Sequence, residues 1–206
     1  MNTIEAIAEI KKNAKAKFDE SVEAHIKLDI DPKKSDQQVR GVVQLPHGTG
    51  KSVRVVVFTT TKKKEAEEAG AEAVGGEELI DKIKTTGKIE ADTAIATPEM
   101  MPKLATIAKI LGPKGLMPNP KSQTVTEKVK EVIESLKKGR ADFKNDNSGN
   151  VHQVIGKVSY DPAKLEENFK IFLEAVRKAK PEGAKGKFIK NVSICSTMGR
   201  GVRIDL

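Results

Sequence analysis

The chain has 206 residues, of which 37% are hydrophobic and 32% charged, and it carries a formal net charge of +8. This composition excludes extended disorder, and no apolar run approaches the roughly 18 residues of a membrane span. The excess of Lys and Arg favours a polyanionic partner such as nucleic acid, and the first 17 residues lack the pattern of a secretory signal, so a cytoplasmic protein is expected.

The amino-terminal segment predicts one helix and two strands. Apolar residues at helical spacing predict a helix over 3–17, with Thr3 as its N-cap. Residues 22–28 alternate apolar and polar side chains, which is typical of a half-buried strand. A second strand is predicted over 39–45, and a glycine-rich break over 46–51 follows it.

A different pattern begins after that break. Residues 53–58 form a nearly continuous β-branched run, as expected of a strand buried on both faces. Helical and strand patterns then alternate, which predicts a small parallel βαβ-type unit. The further elements are helices over 62–69, 77–86, 98–111 and 126–138, a short strand or loop over 70–76, and a strand over 93–96.

The carboxyl-terminal segment returns to the first pattern. Residues 141–145 and 151–160 predict a hairpin across the turn-forming residues 146–150. A helix over 162–179 and strands over 187–195 and 201–204 complete the chain.

Together the elements predict an α/β protein, in which an α+β outer domain (1–48 plus 140–206) receives an inserted Rossmann-like α/β domain (49–139). The two chain crossings predict a hinge. The net charge is 0 over 1–48, +3 over 49–139 and +5 over 140–206. A bound polyanion is therefore expected on the outer domain.

The thiol and the imidazoles give no metal-binding pattern in the sequence. The single cysteine, Cys195, excludes an internal disulfide, and its neighbours predict a small core residue in a strand. His25, His47 and His152 are far apart in the sequence and lack paired-ligand spacing. We therefore predict no metal site.

A nucleotide-dependent enzyme is the alternative from a different class. Residues 48–52, GTGKS, resemble the end of a phosphate-binding loop, but Leu45 stands where that motif needs glycine, and a strand is predicted to follow where the motif opens a helix. No G-x-G-x-x-G follows residues 53–58, where Thr59–Lys62 stand instead. A tight turn at the domain crossing explains the glycines better.

Two loops offer contacts to a nucleic acid. Residues 112–121 combine three prolines and two glycines with Lys114 and Lys121, and they predict either a rigid cap on the inserted domain or a cationic contact. Residues 196–201, STMGRG, join two predicted strands, and their small side chains let a sugar-phosphate backbone approach closely. With only seven aromatic residues, recognition through backbone and shape is expected.

Several blocks of the sequence together resemble the ribosomal protein L-one family. They occur in family order over nearly the whole chain, and the proline-rich block is the most specific. The blocks are Lys17–Glu23, Val39–Gly41 with Leu45–Lys51, Ile110–Lys121, Phe143–Asp146 with Val151–His152 and Gly156–Lys157, Lys180–Gly183, and Ser196–Gly199.

The resemblance implies a non-enzymatic protein whose α/β sandwich is built from both chain ends and carries a Rossmann-like three-layer insertion. It implies binding to large-subunit (23S) ribosomal RNA at the mobile stalk and help in releasing deacylated tRNA from the exit site. It also implies repression of the protein's own mRNA. No cofactor, metal or membrane partner is implied, and the protein is expected to be a monomer off the ribosome.

Matching positions give the residues expected to face RNA, and the lysines among them would neutralise phosphates. Phe18 is expected to bury its ring and orient its neighbours, with direct stacking on RNA as the alternative role. Thr197 and the Gly199 amide would bond 2′-hydroxyls or phosphates. The implied set is Lys17, Phe18, Ser21, Lys144, His152, Lys157, Thr197, Met198 and Gly199.

The chain departs from the family pattern at three places. The family usually starts further upstream with a basic segment, so weaker non-specific affinity is expected here. Arg200 replaces the usual proline after the Ser196–Gly199 block. Gln123 stands where the family favours glycine, so a slightly different loop is expected there.

Overall fold

The computed structural model describes residues 1–87, 89–184 and 186–205, together with the backbone but not the side chain of Lys121. The chain forms two compact units, an outer unit of residues 1–51 with 138–206 and an inserted unit of residues 52–137. The sequence pattern places the same boundaries at 48/49 and 139/140. Within the described residues, no helix is long and apolar enough to cross a membrane.

The outer unit is built on an antiparallel sheet with the strand order β7-β1-β8-β9. Its strands are β1 (Ser21–Leu28), β7 (Asn150–Lys157), β8 (Ile189–Ser196) and β9 (Val202–Ile204). Buried and half-buried residues alternate along all of β1, which confirms the predicted period of two. One face of the sheet is therefore apolar and the other polar.

Two helices cover the apolar face, α1 (Thr3–Asn13) and α7 (Pro162–Lys178). The shared core contains Ile7, Ile26 and Phe169, each at most 1% exposed. Helix α1 ends four residues before its predicted end. Its N-cap is Asn2 rather than the predicted Thr3, because the Asn2 N–H donates to Oε2 of Glu5 (3.3 Å) in a capping box.

The predicted hairpin over 141–160 is wrong. Strand β6 (Arg140–Lys144) pairs with β2 (Arg40–Gln44) in a separate two-stranded sheet, whereas β7 pairs with β1. The turn itself forms, but a single bridge between Asn145 and Val151 joins the two segments. Asn145 fixes the end of β6 beside β2, because its backbone N–H and its side-chain oxygen both bond to the backbone of Val39.

The inserted unit has three layers around a parallel sheet with the order β4-β3-β5. Its strands are β3 (Val55–Phe58), β4 (Ala73–Gly75) and β5 (Thr93–Ala96). Every residue of the central β3 is buried, as its sequence predicts. Val56 and Phe58 pack in one core and Val55 and Val57 in the other.

Helices lie on both faces of this sheet. The predicted single helix over 98–111 differs from the structure. It divides into α4 and α5, joined by a 3₁₀ turn over Ala105–Ile107, with Pro102 in the first turn of α4. The helices are α2 (Lys63–Glu68), α3 (Glu77–Thr86), α4 (Met101–Leu104), α5 (Ala108–Leu111) and α6 (Val129–Lys137).

We expect Gly139→Ala to lower the free energy of unfolding of the outer unit by at least about 3 kcal/mol. Gly139 has a φ of +97°, and a Cβ there would lie 2.5 Å from Cα of Gly48 and 2.8 Å from the carbonyl oxygen of Leu45. Urea unfolding followed by tyrosine fluorescence measures the change, since Tyr160 is the only tyrosine and packs against the core of the outer unit.

Gly186→Ala is the matched control. Its φ is +80°, but a Cβ there would meet no atom within 4 Å. Only backbone strain remains, so a loss of about 1 kcal/mol is expected. Equal losses in the two variants would contradict the proposed steric origin.

Candidate nucleic-acid interface

Most of the residues expected to face RNA meet where β1 begins and β8 ends. The Ser21 N–H donates to Oγ1 of Thr197 (3.0 Å), and the Thr197 N–H donates to the Ser21 carbonyl (3.0 Å). Nζ of Lys157 donates to Oγ of Ser21 (2.9 Å). Three segments distant in the sequence are thereby joined at one residue. We call this surface the sheet-end cluster, formed by Lys17, Phe18, Ser21, Lys157, Thr197, Met198 and Gly199.

A buried carboxylate holds the loops of this cluster. Glu20 is only 2% exposed, and it accepts the backbone N–H groups of Ala16 (3.2 Å) and Met198 (3.0 Å). The bond from the Met198 backbone lowers the pKa of Glu20 below the ordinary value for a glutamate. Glu20 is not among the residues that the sequence predicts for the site, although it continues the buried alternation of Val22 and Ala24.

Two large apolar side chains of the cluster are exposed, Phe18 at 56% and Met198 at 74%. The expectation that Phe18 buries its ring is therefore wrong. The loop between α1 and β1 turns Glu20 inward to bond two backbone amides, and the Phe18 ring faces solvent. Its face is open to stack on a base or a sugar.

Cations and turn geometry complete the surface. Lys17 is exposed beside Phe18, and Lys157 is held by the Asp19 carbonyl (3.3 Å) as well as by Ser21. The Gly199 N–H, expected to bond RNA, donates instead to the Ser196 carbonyl (3.0 Å). Glycine is needed at position 199 for the turn rather than for its N–H, since a Cβ there would overlap Oγ of Ser196.

Two members of the implied set lie outside the sheet-end cluster. His152 is opposite His25 on the polar face, four residues along β1 from Ser21, or about 13 Å. Lys144 is exposed on β6, opposite Arg40 in the two-stranded sheet. They remain on the same unit, but they do not share the contacts of the cluster.

The polar face also brings together residues that are far apart in the sequence. Nδ1 of His25 lies 2.8 Å from Nδ1 of His152, and Nε2 of His25 lies 3.0 Å from Sγ of Cys195. Cys195 is half-buried, not the core residue expected, because the inward positions of β8 are Val192, Ile194 and Ser196. The absence of paired spacing in the sequence hid this cluster, since the pairing is across strands.

Burial sets the protonation of these groups. It raises the pKa of the Cys195 thiol, and the nearby Glu23 carboxylate raises it further. Burial also lowers the pKa of His25, with His152 as the second cause. The thiol and the imidazole are therefore both held neutral at neutral pH.

The glycine-rich and proline-rich loops have structural roles of their own. Gly48 and Gly50 have φ of +64° and +72°, and no helix follows them before β3 begins at Val55. Leu116 of the proline-rich loop is 5% exposed and packs in a core of the inserted unit, as a cap would. Contact of this loop with nucleic acid stays a prediction, and the side chain of Lys121 lies outside the described part of the chain.

Gln123 shows how the chain accommodates a departure from the family pattern. Its φ is +50°, in the left-handed region that favours glycine. The backbone therefore keeps the conformation that a glycine would adopt there.

Comparisons with known proteins give a consistent result. A family model described as "Ribosomal protein L1p/L10e family" matches residues 10–200. The large ribosomal subunit protein uL1 of Mycoplasma capricolum is 53% identical over 195 residues, 95% of this chain and 86% of the relative. Proteins of the same name from Mesoplasma florum and Fervidobacterium nodosum are each 50% identical, over 98% of this chain and 89% and 86% of their own lengths.

We expect Glu20→Gln to destabilise the protein near neutral pH and to matter less as the pH falls. A carboxylate whose pKa is lowered by folding stabilises the folded state above its unfolded pKa, and this contribution is lost as the pH falls through the folded pKa. Urea unfolding at about pH 7 and about pH 3 should therefore give a smaller difference between wild type and variant at the lower pH.

The exposed Glu182 provides the control for this measurement. The difference between wild type and Glu182→Gln should be small at both pH values. A Glu20→Gln effect that is the same at both pH values would show that the carboxylate charge is not what holds the loops.

Proposed function

This chain belongs to the ribosomal protein L1p/L10e family, and from that premise we propose that it is a non-enzymatic constituent of the large ribosomal subunit that binds ribosomal RNA. The sheet-end cluster is the RNA-binding surface of this proposal. The observation that carries it is the exposure of Phe18 and Met198 beside Lys17 and Lys157 on a hydrogen-bonded framework.

The cluster combines the two kinds of contact that a folded RNA needs. Lys17 and Lys157 supply positive charge for phosphates. Phe18 and Met198 offer apolar surface to bases and sugars without an energetic penalty for uncovering a core, because both are already exposed. The hydroxyls of Ser21 and Thr197 belong to the same hydrogen-bonded cluster and suit 2′-hydroxyl or phosphate contacts.

Preorganisation is the main contribution of the framework. Glu20 ties the loop that carries Phe18 to the loop that carries Met198, and Ser21 and Thr197 bond to each other through backbone and side chain. Loops fixed before RNA arrives lose little conformational entropy on binding. The surface therefore selects RNAs of one shape, whereas a merely basic surface would bind any RNA.

Charge supports the choice of unit. The carboxyl-terminal segment 140–206 carries 13 basic and 8 acidic residues, and it supplies β6 to β9 and α7 of the outer unit. The excess attracts any RNA at long range, while selectivity comes from the cluster. His152 and Lys144 would extend the contact beyond the cluster.

The finer roles of the proposal follow the family. The RNA is the stalk segment of the large-subunit (23S) rRNA, and on the ribosome the protein assists release of deacylated tRNA from the exit site. The protein also represses its own mRNA by binding a segment that folds like the rRNA site. Because one surface serves both RNAs, they exclude each other. The cytoplasmic ribosome is the place of action, and off it the protein is a monomer.

The experiment that tests the function compares binding to the stalk rRNA segment with binding to a scrambled RNA of equal length across salt concentrations. Wild type should prefer the stalk RNA at moderate salt. Lys157→Met should weaken stalk binding and reduce the slope of log K against log salt by about one unit, since one phosphate contact is lost.

Lys178→Met is the matched control, because it removes the same charge from the exposed end of α7, which covers the opposite face of the sheet. The salt slope of this variant should stay close to that of wild type. If wild type binds the two RNAs equally and loses both as salt rises, the protein has only a non-selective basic surface. This outcome would contradict the proposed RNA-binding site.

Phe18→Ala should lower the affinity for stalk RNA by about 5- to 150-fold, because a base or sugar loses its stacking partner. Phe18→Tyr keeps the ring and should bind like wild type. Ile4→Ala removes another exposed apolar side chain, 51% exposed on α1, and should have no effect. Filter binding at fixed salt measures all three, and full affinity of Phe18→Ala would exclude the ring from the interface.

A further inference from the structure

Three side chains with metal-ligand chemistry converge on the polar face of the outer sheet. Glu23 and His25 lie two residues apart on β1, and Cys195 lies on β8 directly opposite Glu23. Nε2 of His25 is 3.0 Å from Sγ of Cys195 and 3.9 Å from Oε2 of Glu23. The three donor atoms all lie within 4.8 Å of one another. We propose that these residues bind one Zn²⁺ ion per chain.

The distances between the donor atoms fit tetrahedral coordination of Zn²⁺. Zinc bonds of about 2.0–2.3 Å place neighbouring donors about 3.3–3.8 Å apart. The distances from Nε2 of His25 to Sγ of Cys195 and to Oε2 of Glu23, 3.0 and 3.9 Å, lie on either side of that range, so small side-chain rotations complete the geometry. Thiolate, imidazole and carboxylate together form a donor set that suits Zn²⁺ and is poorly matched to Mg²⁺ or Ca²⁺. A water molecule would take the fourth position.

A second group of residues orients the histidine ligand. When Nε2 of His25 binds a cation, its proton lies on Nδ1, which is 2.8 Å from Nδ1 of His152. His152 then carries its own proton on Nε2, 3.4 Å from Oδ2 of Asp146. A ligating histidine in a zinc site usually donates its other N–H to a carboxylate or carbonyl, and here His152 links His25 to the carboxylate of Asp146.

Asp146 is itself fixed in place as the end of this series. Its Oδ1 accepts the backbone N–H groups of Ser148 (2.8 Å) and Asn150 (2.7 Å). Burial raises the pKa of Asp146, but the bonds from Asn150, Ser148 and His152 outweigh it and hold that pKa well below the ordinary aspartate value. The carboxylate is therefore charged over the whole physiological range.

The site is accessible and its proton balance is simple. The side chain of His25 is 28% exposed and that of Glu23 37%, so an ion can enter from solvent. Zinc binds the thiolate of Cys195, and the thiol proton passes to solvent as the S–Zn bond forms. About one proton should therefore be released for each ion bound.

Titration of the whole reduced protein with ZnCl₂ in buffers of different ionisation enthalpy tests the proposal, with one ion and about one proton per chain expected. Titration with Co²⁺ should give a thiolate-to-cobalt charge-transfer band and the visible bands of a tetrahedral ion. Cys195→Ser should abolish the charge-transfer band. His152→Gln should keep the band but weaken affinity by about 10- to 100-fold.

His47→Gln is the matched control. Nε2 of His47 lies 2.8 Å from Oε2 of Glu167, so this pair resembles His25 and Glu23 without a thiol. Its zinc affinity and cobalt spectrum should equal those of wild type, whereas His25→Gln should lose tight binding. Circular dichroism of each variant checks that it has folded.

Two outcomes would overturn the site. One is a wild-type protein that binds no stoichiometric zinc or gives a cobalt spectrum without the charge-transfer band. The other is a loss of affinity in His47→Gln as large as that in His25→Gln. The wild-type spectrum decides even if a variant fails to fold, and none of these readouts depends on RNA binding.

Discussion

The alternation of side chains along β1 is the constraint on which the rest of the outer unit depends. Val22, Ala24, Ile26 and Leu28 are at most 1% exposed against the core that α1 and α7 cover. Burial of this apolar row fixes the register, because a slip of one residue would exchange the two faces. The opposite row, at odd positions from Ser21 to Lys27, must then face outward. Every functional side chain of β1 belongs to that row.

The sites themselves depend on pairing between segments that are distant in the sequence. Strand β1 lies between β7 and β8, so the polar face combines residues about 130 and 170 positions apart. Ser21 meets Lys157 and Thr197 at one end, and His25 meets His152 and Cys195 near the middle. The return of the chain after the inserted unit is therefore what assembles both the sheet-end cluster and the metal-ligand group.

Local patterns in the sequence predict most of the elements and few of the contacts. The alternation of 22–28 and the apolar run of 53–58 predict their strands because burial imposes those periods directly. The hairpin prediction fails because a turn signal does not reveal that Asn145 bonds Val39, more than 100 residues away. The predictions for Phe18 and Cys195 fail for a related reason. Near Phe18, the polar residue Glu20 takes the inward position, and the ring is left exposed. Cys195 lies on an outward position of β8, because inward and outward positions alternate along the strand.

The position of Glu20 shows why the two proposed sites can share one face. A carboxylate on the buried row loses hydration, and it is kept there because it accepts two backbone amides that no apolar side chain would satisfy. Its negative charge thus stays beneath the surface, while Lys17 and Lys157 stand above it. Further along β1, Glu23 is the carboxylate on the exposed row, beside His25 and Cys195. Zn²⁺ bound there with the Cys195 thiolate would bring the net charge of this group from −1 to 0, because the ion adds two positive charges and the thiol loses its proton. The repulsion that Glu23 exerts on phosphate would then be removed near the middle of the polar face.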